Sequence, residues 1–556
     1  MPAQHEIAEG LRFDSFAPGY DENRGHLRHL PREEKRRSLA CLANAVRAAR
    51  RRFILDAAHL AAGLKNLLPL IIGVFPWIAA YSHAAEPLKP NIVVVLADDL
   101  GYGDLACYGH PTIKSPNLDR FGAEGVRFTS CYASAPNCSP SRTGLMTGRT
   151  PYRAGVHNWI PFMSPMHVGA GEVTVATLLR NAGYATCHAG KWHLNGMFNL
   201  PGQPQPNDHG FEHWFSTQNN ALPNHRDPYN FVRNGIPAGP QQGFSSEIVA
   251  AEAVRWLREG RDRAKPFLLF VCFHEPHEPI ATAPRFSGLY DYRDDPSRAD
   301  YYGSVTQMDD AFGKLMQALD DLQLRDSTFV LFTSDNGPAR TRWHNVGSSG
   351  PLREFKGHVY DGGIRVPGMI RWPGHAQPRT VCDEPIIGLD LLPTVCAIAD
   401  VTPPTDRPLD GASLLPVFAG ERVRRTTPLY WQFNWAGSAP KVAMRSGDWK
   451  ILAKLDRQTK AAGDITEEDN RALKTAELID FELYNLRQDI GETTELSKRE
   501  PEKLAELTSA LNEMYHEIRN ATPTWPAWKW PRYEAQRIKW PDYTAKPLAT
   551  AKQEDN

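Results

Sequence analysis

The sequence predicts an α/β fold: a large, mostly parallel or mixed central sheet flanked by helices, with a smaller C-terminal α+β domain. Three observations carry this prediction. Apolar, β-branched runs recur at Asn91–Ala97 (NIVVVLA), Phe267–Phe273 (FLLFVCF) and Thr328–Thr333 (TFVLFT). Such near-continuous runs suit strands covered on both faces, as in a parallel sheet. Helical periodicity fills the segments between them. Each run also ends in a polar cluster, respectively Asp98-Asp99, His274-Glu275-Pro276-His277 and Ser334-Asp335-Asn336-Gly337. Ligands of open α/β sheets sit beyond the carboxyl ends of the strands, so the site is expected where these clusters meet.

In chain order, helices are predicted over Val173–Ala182, stopped by Gly183, over Ser246–Glu259, followed by Gly260, and over the long amphipathic stretch Asp300–Leu322. From about residue 425 the texture changes. Lys441–Leu455 reads as a hairpin around Arg445-Ser446-Gly447-Asp448, Phe481–Leu486 as a strand, and Pro501–Arg519 as a helix with a charged face. The tail from Pro523 (TWPAWKWPRY…IKWPDY) has neither period and is expected to run extended over the surface. The predicted layout is an N-terminal extension 1–88, a large α/β domain 89–424, a smaller domain 425–522 and a Trp/Pro-rich tail 523–556.

Composition sets limits. The 556 residues are 41% hydrophobic and 23% charged, which excludes disorder over most of the chain. Lys+Arg number 63 and Asp+Glu 64, a net charge of −1, so a broadly basic nucleic-acid-binding face is not expected. Eight cysteines without a CxxC pair exclude a disulfide scaffold and a zinc ribbon.

The run Asn66–Tyr81 (NLLPLIIGVFPWIAAY), with basic residues before it and Ser82-His83-Ala84 after it, has the pattern of a secretory signal over 65–84. Pro69 and Pro76 and its length argue against a stable membrane span. Its position predicts a translation start near residue 64, and the protein is expected to be secreted or periplasmic. Residues 1–84 hold 12 basic and 8 acidic side chains, so a chain cut after Ala84 has a net charge of −5. Positive charge for an anionic ligand must then be local.

Asp98, Asp99, Asp335 and Asn336 form a hard oxygen donor set, suited to Ca²⁺ or Mg²⁺; two separate turn motifs would use the same residues. Cys138 opens the run CSPSRTGLMTGR, beside Arg142, and by residue chemistry reads as an activated nucleophile.

That run resembles the first signature of the type I, formylglycine-dependent sulfatases, arylsulfatase-like members of the alkaline-phosphatase-like superfamily. The segment Gly183–His193 (GYATCHAGKWH) resembles their second signature, and Lys356–Gly363 (KGHVYDGG) a further motif. The resemblance spans about residues 90 to 520. It implies a sulfuric ester hydrolase in which Asp98, Asp99, Asp335 and Asn336 hold one Ca²⁺. Cys138 is converted to formylglycine by a formylglycine-generating enzyme, and a hydroxyl of its gem-diol attacks sulfur.

By the same resemblance Arg142 stabilises the hydrate, Lys191 and Lys356 clamp the sulfate, His277 protonates the leaving alcohol, and His193 takes the second diol proton. The implied substrate is a sulfated carbohydrate or aryl sulfate. His274 reads as a supporting or packed histidine. Arg149 and Arg153 read as loop-holding residues, and Trp343-His344 as part of the mouth. The loop Asn219–Gly235 suggests His225 and Arg226 as substrate contacts. A phosphate or phosphonate ester hydrolase of the same fold is the alternative enzyme, and an inactive glycan-binding relative is the non-enzymatic one.

Overall fold

A computed structural model describes residues 89–341, 344–457, 459 and 463–542. The signal-like segment, the extension before it and Trp343 lie outside the described residues. The described residues all fall within one compact unit.

The strands are β1 (Asn91–Asp98), β2 (Val126–Phe128), β3 (Cys131–Tyr132), β4 (Ala185–Lys191), β5 (His213–Thr217), β6 (Val232–Arg233), β7 (Ile236–Pro237), β8 (Phe267–Pro276), β9 (Thr328–Ser334), β10 (Gly368–Arg371), β11 (Thr380–Cys382) and β12 (Ile386–Ile387). Ten of them form the main sheet in the order β11-β2-β10-β9-β1-β8-β4-β5-β6-β7. The centre is parallel: β1 pairs with β8 and β9, β4 with β8 and β5. Antiparallel β10 beside β9 makes the sheet mixed. β3 and β12 form a short parallel pair of their own.

β1 explains why its sequence has no polar alternation. Ile92, Val94 and Leu96 enter the core on one face of the sheet, and Val93, Val95 and Ala97 the core on the other. Each buried Val, Leu or Ile contributes roughly 1.5–3 kcal/mol. The flanking helices are α1 (Pro116–Glu124), α2 (Cys138–Thr147), α3 (Val175–Asn181), α4 (Ser245–Arg255), α5 (Pro296–Asp321) and α6 (Leu391–Ala399). The predicted helix over Ser246–Glu259 is α4 continued by one π turn, Trp256–Gly260, and α5 starts earlier than its apolar period because Asp295 caps it and Pro296 occupies its first turn.

The second sheet is antiparallel, β13 (Leu429–Gln432), β14 (Val442–Ser446), β15 (Trp449–Leu455) and β16 (Leu478–Asn485) in that order. Helix α7 (Glu467–Thr475) precedes β16, and α8 (Pro501–Ala521) packs Leu507, Leu511, Tyr515 and Ile518 with one face of this sheet. The other face meets Tyr132, Val359, Tyr360 and Ile364 of the large layer. There, fully buried Lys450 holds Asp361 and Glu492, each at 2.8 Å. Asp361 opens the turn Asp361–Ile364, directly after the segment carrying Lys356. The second sheet therefore braces a loop of the site. Among the described residues no helix is long and apolar enough to cross a membrane.

Candidate active site

Four strand ends and one helix start build the site. β1 delivers Asp98 and then Asp99, whose φ of 64° is left-handed. β4 delivers Lys191 and then His193, also left-handed at 57°. Non-glycine residues in that region cost on the order of 1–3 kcal/mol each and concentrate at functional sites. β8 leads into His277, and β9 into Asp335 and Asn336. Gly337 permits the next close approach, since a Cβ there would lie 1.9 Å from the Gly362 carbonyl. Cys138 is the first residue of α2. The Asn137 side chain caps that helix, accepting from the Cys138 N–H at 2.8 Å.

Asp98, Asp99, Cys138, Arg142, Lys191, His193, Asp335 and Asn336 are buried together, while Lys356 and His277 are partly exposed, each at 19%. Lys191 Nζ lies 2.5 Å from Asp98 Oδ2. Lys356 Nζ lies 2.8 and 2.9 Å from the two oxygens of Asp99. Arg142 grips Asp335 Oδ2 through Nε at 2.9 Å and Nη2 at 2.8 Å, and donates to the Lys191 carbonyl at 2.9 Å. Its guanidinium is thus taken up by bracing the carboxylates. Asn336 donates to Asp99 Oδ1 at 2.7 Å, and the Asp99 N–H donates to Asp335 Oδ1 at 3.2 Å.

The donor chemistry fits a hard cation. Asp98, Asp99 and His277 bring one ligand atom each within 4.8 Å of one another. Asp98 Oδ1 and Asn336 Oδ1 are buried without a hydrogen-bond partner. Orphaned buried oxygens are costly unless something binds them. His277 was not among the sequence-derived metal ligands; here it lies as close to the carboxylates as a ligand would, with Nε2 3.6 Å from Asp99 Oδ2.

Electrostatics distinguish the three acids. Burial alone would raise Asp98, but Lys191, His277 and Arg142 hold it well below the usual carboxylate range. Asp99 is lowered too, with Lys356 and His277 outweighing its burial. Burial and the Asp98 charge push Asp335 up to about 7, against the pull of Arg142. Burial likewise raises the Cys138 thiol, despite Lys191 and Lys356 nearby. An unmodified Cys138 is therefore a protonated thiol, which disfavours the simple thiolate nucleophile that its residue chemistry first suggests.

The histidines separate by contact. His193 Nε2 lies 3.1 Å from the Ile160 carbonyl and so carries the hydrogen; its Nδ1 is unpartnered and holds a lone pair. Burial keeps this imidazole neutral, its pKa well below normal. His277 donates Nδ1–H to the Glu278 carbonyl, and burial holds it down at about 4. His274 is a packed histidine between Thr217 and Ser245 hydroxyls, each at 2.7 Å. Arg149 and Arg153 hold loops, pairing with Glu172 at 2.5 Å and with Asp410 and Glu517 at 3.3 and 2.9 Å. His344 is buried, 3.3 Å from Glu278, rather than at the mouth.

Above Cys138 opens a pocket of about 320 Å³. His193, His277 and Lys356 line it together with Trp159, Asn219, Asn220, Trp530 and Glu534. His225 and Arg226 are not brought to it. His225 is buried with Nδ1 3.8 Å from Glu275, and Arg226 points outward beside Asp227. Asn219 and Asn220 are the residues of that loop which reach the pocket. Trp530 and Glu534, the latter 315 residues beyond Asn219, gave no local signal beyond the tail's unusual tryptophan content.

Comparison with known proteins decides the family. A family model described as Sulfatase matches residues 90–401. The chain belongs to the sulfatase family. This sulfatase also matches a model of the N-sulphoglucosamine sulphohydrolase C-terminal region over 354–521. It is 35% identical to human arylsulfatase A over 79% of this chain and 89% of that protein. Against human N-acetylgalactosamine-6-sulfatase the identity is 31% over 80% and 90%. The structure of Ps i-CgsB in complex with k-i-k-neocarrahexaose superposes with a TM-score of 0.68 at 27% identity, covering 81% of this chain and 96% of that one. The sulfatase is a sulfuric ester hydrolase.

Proposed function

We propose that this sulfatase hydrolyses sulfate esters of a sulfated carbohydrate in the pocket above Cys138, after Cys138 has been converted to formylglycine. We further propose that Asp98, Asp99, Asp335 and Asn336 hold one Ca²⁺. The observation that carries this reading is the convergence of Lys356, His193 and His277 on the pocket above Cys138, with Lys191 buried close enough to act on Cys138 by its charge, beside buried oxygens left without partners. The hydrated aldehyde supplies a nucleophilic hydroxyl, and the cation supplies charge against the sulfate oxygens.

The chain's own residues have distinct tasks in this scheme. Lys191 and Lys356 place positive charge against the sulfate, in a site where burial strengthens it. Arg142 positions Asp335 and the Lys191 backbone, and so acts through them. His193, neutral and with a free Nδ1, accepts a proton from the side chain at 138. His277 delivers a proton through Nε2 to the leaving alcohol. Its depressed pKa means that this proton is held only when the anionic ester lies beside it.

The sugar class is supported by the relatives' printed substrates and by the pocket, where tryptophans and asparagine amides face the reacting end. The apolar run at 66–81 supports export, and maturation requires a formylglycine-generating enzyme as a partner.

Initial rates on 4-nitrophenyl sulfate and 4-nitrophenyl phosphate test the reaction class. Turnover of the sulfate ester in large excess is expected. Preference for the phosphate would overturn the reading in favour of a phosphoester hydrolase. Sulfate release from monosulfated hexoses tests the substrate class, and turnover of the aryl ester alone would refute a carbohydrate substrate.

A further inference from the structure

The tail was expected to lie over the surface, yet part of it enters the pocket. Both family matches end by residue 521, so this wall comes from chain beyond them. The strap is fastened on both sides of its entry. Trp525 donates its indole N–H to the Gly155 carbonyl at 2.7 Å, Trp528 pairs with Ile465, and the Trp530 N–H donates to Asp464 at 2.8 Å. After the pocket, the Lys539 N–H donates to the Pro223 carbonyl at 2.9 Å, and Asn224 donates to the Lys539 carbonyl at 3.0 Å.

Between these fastenings, Trp530, Glu534, Ala535 and Ile538 line the pocket, and the first two carry its aromatic and polar chemistry. Trp530 meets Trp159 edge to face, ring centroids 4.9 Å apart. Glu534 is 8% exposed, and Lys191 and Arg537 act on it by charge without forming an ion pair with it among the described residues. Among the described residues its carboxylate accepts hydrogen bonds only from Asn219 Nδ2 and the Asn220 N–H, both at 3.3 Å. A carboxylate has about four acceptor positions, so two remain for a ligand. A buried acid so sparsely satisfied is costly unless a donor arrives. Glu534 also lines an adjoining pocket of about 230 Å³ with Phe198, Asn230 and Arg537, so the cleft continues past it.

We propose that the strap Trp530–Ile538 is the alcohol-side binding site. A pyranose ring packs on the Trp159–Trp530 pair, and its free hydroxyls donate to Glu534. Asn219 holds that carboxylate in place. The two ends of the pocket then have opposite polarity. The lysine end takes the sulfate, and the Glu534 end selects a ring with a neutral hydroxyl and rejects one with a second anionic group there. This inference rests on the sulfatase reading of the pocket.

Kinetics of the full-length matured enzyme on galactose 6-sulfate, N-acetylgalactosamine 6-sulfate and N-acetylgalactosamine 4,6-disulfate test it, with inhibition by inorganic sulfate as a probe of the lysine end. Trp530→Ala should raise KM for the monosulfated sugars about tenfold, a loss near 1.4 kcal/mol, while inorganic sulfate inhibits as in the wild type. Glu534→Gln should narrow the preference for the monosulfated over the disulfated sugar by a similar factor. Unchanged KM in the first variant, or unchanged preference in the second, overturns the proposal.

Saturation-transfer NMR with unsulfated galactose and N-acetylgalactosamine separates this from failure of the sulfatase reading, because it needs no turnover. Saturation transfer in the wild type that Trp530→Ala abolishes supports the strap even in a protein that releases no sulfate. Equal transfer in both proteins, or none in either, refutes it.

Discussion

Replacing Lys191 by Met removes the positive charge nearest Asp98 while keeping an apolar stem of similar length. The two charges lie 2.5 Å apart, and both side chains are buried. At an effective dielectric of about 20, Coulomb's law gives roughly 7 kcal/mol of direct attraction. Desolvation offsets much of that, and breaking one partner out of a buried pair typically costs about 3–5 kcal/mol. The lower end is expected here, because Arg142 Nη2 remains 3.5 Å from the same Asp98 oxygen. Guanidinium chloride unfolding in a chelator should therefore show Lys191→Met less stable by about 3 kcal/mol. Calcium should recover more stability in the variant than in the wild type, because the freed Asp98 oxygen can then face the cation. Activity should fall by about 10²–10³-fold and stay low with calcium, since the charge opposite the sulfate is gone. An equal destabilisation with and without calcium would refute the placement of the cation at Asp98. Retained activity would refute the role of Lys191.

Further expectations follow from the same geometry. His193→Ala should lower turnover by about 10²–10⁴-fold in steady-state assays, and near-normal turnover would show that another group accepts the proton. Chelation should abolish activity, with calcium restoring it better than zinc because the donors are oxygen-rich; preferential rescue by zinc would contradict the proposed ion. His157, His188 and His225 are buried neutral, each held at about 3 by burial against an ordinary 6.5. The unfolded chain therefore binds their protons first as pH falls below 6.5, and each group can remove up to about 1.4 kcal/mol per pH unit down to its folded value. Raised acids such as Asp335, at about 7, act in the opposite sense, so the test is differential: between pH 6.5 and 4 the Tm of a His225→Asn variant should fall less than that of the wild type, and parallel profiles would contradict the neutral burial of His225.

Much of the architecture was legible because burial on both faces writes itself into β1, β8 and β9 as unbroken apolar runs. The acids and the amide at their ends were legible as a candidate set for a related reason, since ligands of open α/β sheets sit beyond the strand ends, although turn capping would use the same residues. β4 was not legible as a strand. Ala185–Lys191 (ATCHAGK) has little β propensity of its own, and its neighbours β5 and β8 impose the conformation. Gly190 serves that packing, because a Cβ there would lie 1.8 Å from the Cys272 carbonyl.

The reacting end of the site could be read from local motifs, whereas its outer wall could not. Asn219, Trp159 and Glu534 meet only through long-range folding, and no periodicity connects residues 315 positions apart. His225 and Arg226 had suitable chemistry for a sugar, but Glu275 beside the first and solvent around the second place them elsewhere.

The central claim concerns the atom that attacks sulfur. Mass spectrometry of the peptide containing Cys138, taken from preparations of graded specific activity, tests it most directly. The account predicts that the Cys138 side chain has lost its sulfur and carries a hydrazide-reactive aldehyde, in a fraction that rises in step with activity. Fully active enzyme with an intact Cys138 thiol would contradict it.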